Sequence, residues 1–104
     1  MTETRLQYAI QKEVTKRGGF VFKVHGSEYM MSGLPDLIVC YKGQFIGMET
    51  KTPENKKPVP VQSLRKKQIR ESGGRSETIR SLSAAIELLK SVEESSAKAL
   101  LPSE

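Results

Sequence analysis

The stretch GLPDLIVCYKGQFIGMETK, residues 33–51, decides the reading of this chain. Two short apolar runs, DLIVCY and FIGMETK, are separated by KGQ, the pattern of two strands joined by a tight turn. Asp36 stands at the mouth of the first run, and Glu49 and Lys51 stand inside the second. Charged side chains are poor strand formers and costly to bury, so three of them in the middle of a sheet call for a reason. Strand side chains alternate faces, so Glu49 and Lys51 point the same way, with Gly47 on that face and Ile46, Met48 and Thr50 on the other. A hairpin turning near residue 43 brings Asp36 to the level of Glu49–Lys51. Two carboxylates and one ammonium group thus converge at one end of a sheet.

Outward from this hairpin, a helix is expected from about Glu3 to Lys16, capped by Thr2 and ended by Gly18-Gly19. At about 100° per residue, Glu3, Gln7, Ile10 and Val14 share one narrow wedge, with Leu6 beside it. Glu13 lies roughly a quarter turn away. A strand follows over Phe20–Val24, then a loop, GSEYMMSGLP, that leads into the hairpin. The proline-punctuated TPENKKPVP reads as a loop, Val61–Ser72 as a helix ended by Gly73-Gly74, and RSETIR as a fourth strand. A last helix covers SLSAAIELLKSVEES, leaving SAKALLPSE as a frayed tail. The expectation is one α/β domain over residues 1–94 and a tail over 95–104. Its order is α-β-β-β-α-β-α, a central mixed β-sheet flanked by helices, with the last strand reached by a helical crossover.

Composition narrows the function classes. The chain has 104 residues and 37% hydrophobic content, with six aromatics and no tryptophan, so a core of Leu, Ile, Val and Met is expected. No apolar run approaches the ~20 residues that span a membrane, and MTETRLQ has no apolar signal core, so a cytoplasmic protein is expected. One cysteine and one histidine exclude a zinc pattern, and Cys40, in an apolar run, reads as an inert buried thiol. His25 reads as a loop residue. Of the net charge of +5, the excess lies in residues 51–75, where eight basic residues face only Glu54 and Glu71, a net of +6. Such a patch suits a polyanion, and its alternative is a solvated lysine-rich helix face.

Two carboxylates held together repel unless a cation sits between them, and Mg²⁺ takes such oxygen ligands while keeping waters. A neighbouring lysine then orients water or neutralises developing charge. This is a site able to hydrolyse a phosphodiester, with Gly47 leaving room for a bulky backbone. The bland alternatives are that Asp36 caps a turn and that Glu49 and Lys51 form an exposed edge-strand ion pair of little worth.

The residues "PD", a hairpin and "ETK" resemble the P-D…(D/E)-x-K signature of the restriction-endonuclease-like nucleases. Gln62, the basic helix, Gly73-Gly74 and a final strand-helix extend the likeness to the VRR-NUC group, from about Thr2 to Leu89. The resemblance implies a restriction-endonuclease-like core and a Mg²⁺- or Mn²⁺-dependent endonuclease of branched DNA such as four-way junctions, often a homodimer. It implies catalytic Asp36, Glu49 and Lys51, and a helix acid that joins Asp36 and Glu49 on the metal. Glu3 is the best match, with Gln7 on the same face, and Glu13 is the alternative. Gln62 reads either as orienting substrate or lysine, or as a helix-surface residue. Lys56, Lys57, Arg65, Lys66, Lys67 and Arg70 are the expected phosphate contacts, and GSEYMMSG is the expected dimer contact. Two other function classes stay open: a non-catalytic nucleic-acid binder on a nuclease-like fold, and a small interaction module.

Overall fold

A computed structural model of the chain describes residues 1–52 and 59–99, the side chain of Ala99 excepted. The elements are α1 (Glu3–Lys16), β1 (Phe20–Lys23), β2 (Leu37–Tyr41), β3 (Gln44–Thr50), α2 (Pro60–Glu71), β4 (Arg75–Ile79) and α3 (Leu82–Ala99). This is the expected order. The sheet runs β1-β2-β3-β4, with β1–β2 and β2–β3 antiparallel and β3–β4 parallel. It is a mixed sheet flanked by helices, with α2 as the crossover.

Helix α1 begins where Thr2 Oγ1 accepts the Arg5 N–H at 3.1 Å, satisfying one orphan donor of the first turn. It ends at Gly18, whose φ of +87° lets the chain reverse. Leu6, Gln7, Ile10 and Val14 are its buried residues, the face read from the wedge. Leu6, Ile10 and Val14 pack with Leu37, Val39, Ile46 and Met48 of the sheet and Ala85 and Leu89 of α3 to form the core. Helices α1 and α3 therefore cover one face. Helix α2 lies over the β3–β4 half of the other, where Ile69 meets Gly47 and Gly74.

The hairpin turns on two residues. Lys42 (φ 52°) and Gly43 (φ 75°) are both left-handed, as a type I′ turn requires, and Gln44 pairs with Tyr41 as part of β3. Helix α2 starts one residue early because Pro60 fits the first helical position, where no N–H is needed. Helix α3 runs to Ala99, four residues past the expected end. Ala97, Lys98 and Ala99 are good helix formers and no Gly or Pro interrupts them. The rest of the expected tail lies outside the described residues. Cys40 corrects the reading of a buried thiol. Val39 and Tyr41 take the inward positions of β2, so Cys40 faces out and is exposed. Among the described residues no helix is long and apolar enough to cross a membrane.

Candidate active site

The short turn fixes the site. Leu37 pairs with Met48, so Asp36, one residue before β2, stands opposite Glu49 at the open end of the hairpin. Asp36 Oδ2 accepts the Thr50 backbone N–H at 2.8 Å and the Thr50 hydroxyl at 3.0 Å. The same Thr50 oxygen accepts from Gln7 Nε2 at 2.8 Å. A polar chain thus runs from α1 through β3 to the acid. A mere turn-capping Asp36 would not account for this cross-element chain.

Glu49 and Lys51 are each only 8% exposed. Strand β3 lies between β2 and β4, so the exposed edge-strand reading fails. Lys51 Nζ sits 3.6 Å from Glu49 Oε1 and donates to Gln62 Oε1 at a long 3.5 Å. Its backbone N–H is held by Ile79 O at 3.0 Å, so the end of β3 is tied to β4. Glu49 pairs with Thr78 across that parallel ladder, and Lys66 Nζ donates to Thr78 Oγ1 at 2.9 Å. A second ammonium group therefore flanks the acid pair. Sequence reading placed Lys66 among general phosphate contacts, because its reach to Thr78 depends on which face of α2 packs on β4.

Among the described residues two buried oxygens lack a hydrogen-bond partner: Gln7 Oε1, and Glu49 Oε1, which has only the Lys51 ammonium 3.6 Å away. Native proteins rarely leave buried acceptors unmet, and each costs about 1–3 kcal/mol, more when charged. Orphaned oxygens beside a second carboxylate fit a hard divalent cation, which binds oxygen donors. Among the described residues no group of three or more His, Cys, Asp or Glu is placed to hold a metal ion. The structure links Gln7 to Asp36 through Thr50, gathers Glu49, Lys51 and Gln62 on the opposite face of β3, and among the described residues does not gather Glu3 with the two acids into such a cluster. Glu3 is partly exposed and lines an open depression of about 530 Å³ with Met1, Thr2, Arg5 and Thr52.

Glu13 is at the other end of α1. It accepts from Arg17 Nε at 2.8 Å, while Arg17 Nη1 and the Tyr41 hydroxyl both donate to Glu93 Oε1, at 2.8 and 2.6 Å. The hydrogen bond from Tyr41, helped by Arg17, holds the Glu93 carboxyl below its usual range. The same bond to Glu93, then burial, pushes the Tyr41 hydroxyl up, and Glu13 above all raises Arg17. This cluster joins α1, β2 and α3 and leaves Glu13 committed to structure.

Gly47 corrects another expectation. The space above it is filled by the protein itself: a Cβ there would lie 2.6 Å from Pro35 Cγ and 3.5 Å from Ile69 Cδ1. The basic face of α2 is also partly engaged. Arg65 Nε donates to Ser32 O at 2.9 Å, Arg70 pairs with Glu77 at 2.6 Å, and Lys67 lies 3.9 Å from Glu71. Lys56 and Lys57 lie outside the described residues. Sequence reading missed one surface altogether. Phe20 and Phe22, 65% and 46% exposed, share with Ile38 and Cys40 the half of the sheet face that α2 leaves bare, and Phe45, 44% exposed, borders it beside Gln68, Ile69 and Ser72 of α2. Their alternation was readable, but the position of α2 was not.

No family model matches the chain, and no curated protein matches it. Among solved structures, the chain is similar to a VRR_NUC domain at 30% identity and a TM-score of 0.71, covering 85% of this chain and 94% of that one. It is also similar to Hjc of Archaeoglobus fulgidus, a Holliday junction resolvase from an archaeal hyperthermophile, at 16% identity and a TM-score of 0.58. That match covers 75% of this chain and 67% of the other, and the likeness is one of fold.

Proposed function

The chain belongs to the VRR-NUC family of restriction-endonuclease-like nucleases, and on that premise we propose that it is a divalent-metal-dependent endonuclease selective for branched DNA. The observation that carries this reading is the buried pair Glu49 and Lys51 at the end of a central strand, with the partly exposed Asp36 opposite Glu49 across the hairpin. Such a cluster is a poor stability device, since apolar residues of similar volume often do as well or better. Groups of this kind are retained where chemistry needs them.

Asp36 and Glu49, opposite each other across the hairpin, would hold Mg²⁺ or Mn²⁺, with Glu3 or Gln7 of α1 as the candidate further ligand. When bound, the ion would polarise the phosphate and lower the pKa of an attacking water. Thr50 fixes the Asp36 carboxylate by two hydrogen bonds, so the acid is aimed before substrate arrives. Lys51, steadied by Glu49 and Gln62, presents an ammonium group to the phosphate oxygens, where it stabilises charge developing in the transition state. Lys66, on Thr78, is set to meet an adjacent phosphate. The remaining basic residues of α2 extend this contact along the backbone.

Branched DNA is supported by the fold shared with a Holliday junction resolvase and by a surface rich in phosphate-binding groups. Resolving a four-way junction takes two symmetric cuts, and one chain carries one set of Asp36, Glu49 and Lys51. A two-fold homodimer meets that need. The bare sheet face is a better contact than the expected GSEYMMSG loop, because Phe20, Phe22 and Phe45 form a continuous apolar patch on one rigid sheet.

The test is a Mg²⁺-dependent cleavage panel on linear duplex, flap and four-way junction DNA, with Asp36→Asn and Glu49→Gln beside the wild type. Wild-type protein is expected to cut branched DNA, and each variant to bind without cutting. A variant that cuts at near wild-type rate refutes the site. Wild-type binding without cleavage leaves a non-catalytic binder.

A further inference from the structure

We infer that the loop between β1 and β2 is a stacking site for one unpaired nucleobase of the substrate, seated beside Asp36; the inference rests on the nuclease reading above. The loop is an unusual surface for a polar chain. Tyr29 is 92% exposed, and Met31 and Met30 are 58% and 44% exposed. The Tyr29 ring makes no ring contact or hydrogen bond among the described residues.

The tip exposes Tyr29, Met30 and Met31 beside Glu28, and the loop is pinned. At its feet, Val24 N–H donates to Asp36 O at 2.9 Å, and a turn closes where Met30 N–H meets Ser27 O at 3.1 Å. On the side of α2, Arg65 holds Ser32 O at 2.9 Å. Gly33, at φ +79°, approaches so closely that a Cβ would lie 2.6 Å from Val61 O. The chain thus spends a guanidinium and a left-handed glycine on holding this tip against the basic helix. Below the tip lies a depression of about 300 Å³, whose lining includes Met30, Met31, Leu34, Pro35 and Asp36.

The occupant is defined by that wall. It must be apolar enough to cover the methionines of the wall, with Tyr29 exposed next to Met30 on the same loop, and it must arrive beside Asp36. A nucleobase meets both conditions. Met and Tyr both pack well on flat π faces. The volume is at the bottom of the range for ligand pockets, about 300–1,000 Å³, which suits one base and not a groove-filling chain. Within an intact duplex the bases are already stacked and paired. At a branch point an unpaired base is available at least cost, so this site favours branched over linear DNA. A second copy of the chain seated here would cover Asp36 and bar the substrate, and the bare sheet face offers self-association a surface that does not.

The test uses Glu49→Gln protein, so that DNA is bound and not cut. Four-way junctions carry 2-aminopurine either at the branch point or within a paired arm. Binding is expected to change fluorescence at the branch point only, and Tyr29→Ala in the same background is expected to abolish that change. The same substitution should weaken junction affinity by about 5- to 150-fold, the usual range for losing one stacked base, while affinity for linear duplex moves less than about two-fold. Thermal melting checks that this exposed substitution leaves the fold intact, and Met31→Ala serves as an independent probe. Equal weakening on junction and duplex would overturn the inference by making the loop a general backbone contact. Conversion of a dimer to monomer on sedimentation would overturn it by making the loop a self-association surface. Wild-type protein that neither prefers nor cuts branched DNA would remove the nuclease reading, and this inference with it, whatever Tyr29 does.

Discussion

Replacing Thr50 by Val deletes one hydroxyl and keeps the β-branched shape that β3 favours. Thr50 is 1% exposed, so water does not fill the role of the lost group. The hydroxyl makes two bonds, to Asp36 Oδ2 at 3.0 Å and from Gln7 Nε2 at 2.8 Å. Gln7 is 6% exposed and its Oε1 already lacks a partner, so its amide would be stranded. A stranded buried donor costs about 1–3 kcal/mol. Asp36 loses one bond of two, but it is partly exposed and keeps the Thr50 N–H at 2.8 Å, so its loss is smaller. The sum is about 2–4 kcal/mol, a large share of the ~5–15 kcal/mol typical of a domain. Urea denaturation should show it as a midpoint lowered by about 1–3 M. Adding Gln7→Leu removes the stranded amide, so the double variant should be more stable than additivity allows by about 1 kcal/mol. Cleavage should fall about 10- to 100-fold, as when an outer-shell partner of a metal site is removed. A stability change under about 0.5 kcal/mol with an unchanged rate, or strict additivity with Gln7→Leu, would refute the bridge.

Lys51→Ala should slow cleavage by about 10²–10³ while isothermal calorimetry still detects metal uptake; loss of uptake would make the lysine structural. The cluster at the far end of the sheet predicts two pH limits. Glu93 is held below its ordinary value of 4.5, so the unfolded chain takes up that proton first and the contribution is lost as pH falls below 4.5. Tyr41 is raised above its ordinary 10.0, so its contribution is present below pH 10 and lost as pH rises further. The gap in urea midpoint between wild type and Tyr41→Phe should therefore narrow at both extremes, and a gap that stays constant would contradict the cluster. Phe20→Ser with Phe45→Ser should turn a dimer into monomer on sedimentation without lowering the melting temperature; an unchanged mass would place the contact elsewhere.

Local pattern carried far in this chain. The apolar wedge of α1 was readable because Ile10 and Val14 recur at helical spacing, and Gln7 could be placed on the buried face by the same count. Asp36 and Glu49 could be set level because a short turn leaves little freedom of register. What was not legible depends on packing between distant elements. Whether Cys40 faces the core follows from which face of the sheet α1 and α3 cover, and periodicity alone does not decide it. Gly47 had a visible reason, a close approach, but Pro35 as the visitor required the path of the loop. Thr50 could be placed on the face of Ile46 and Met48, but not given a partner. Its role emerges only when a residue 43 positions away, Gln7, is laid against it.

Helix α2 has no buried residue. It is fastened by Ile69 in the hollow that Gly47 and Gly74 leave, and by polar ties from Arg65 to Ser32, Lys66 to Thr78 and Arg70 to Ser76 and Glu77. Elements held this way open at low free energy, so its amides exchange with solvent ahead of those of α1, which is anchored in the core. The groups that fasten it are also the cations that DNA would recruit. A phosphate that captured Arg70 or Lys66 would release a tie between the helix and β4. Substrate engagement and helix mobility would thereby be coupled through one set of side chains, and the helix could settle onto backbones of differing curvature without disturbing the acids beneath it.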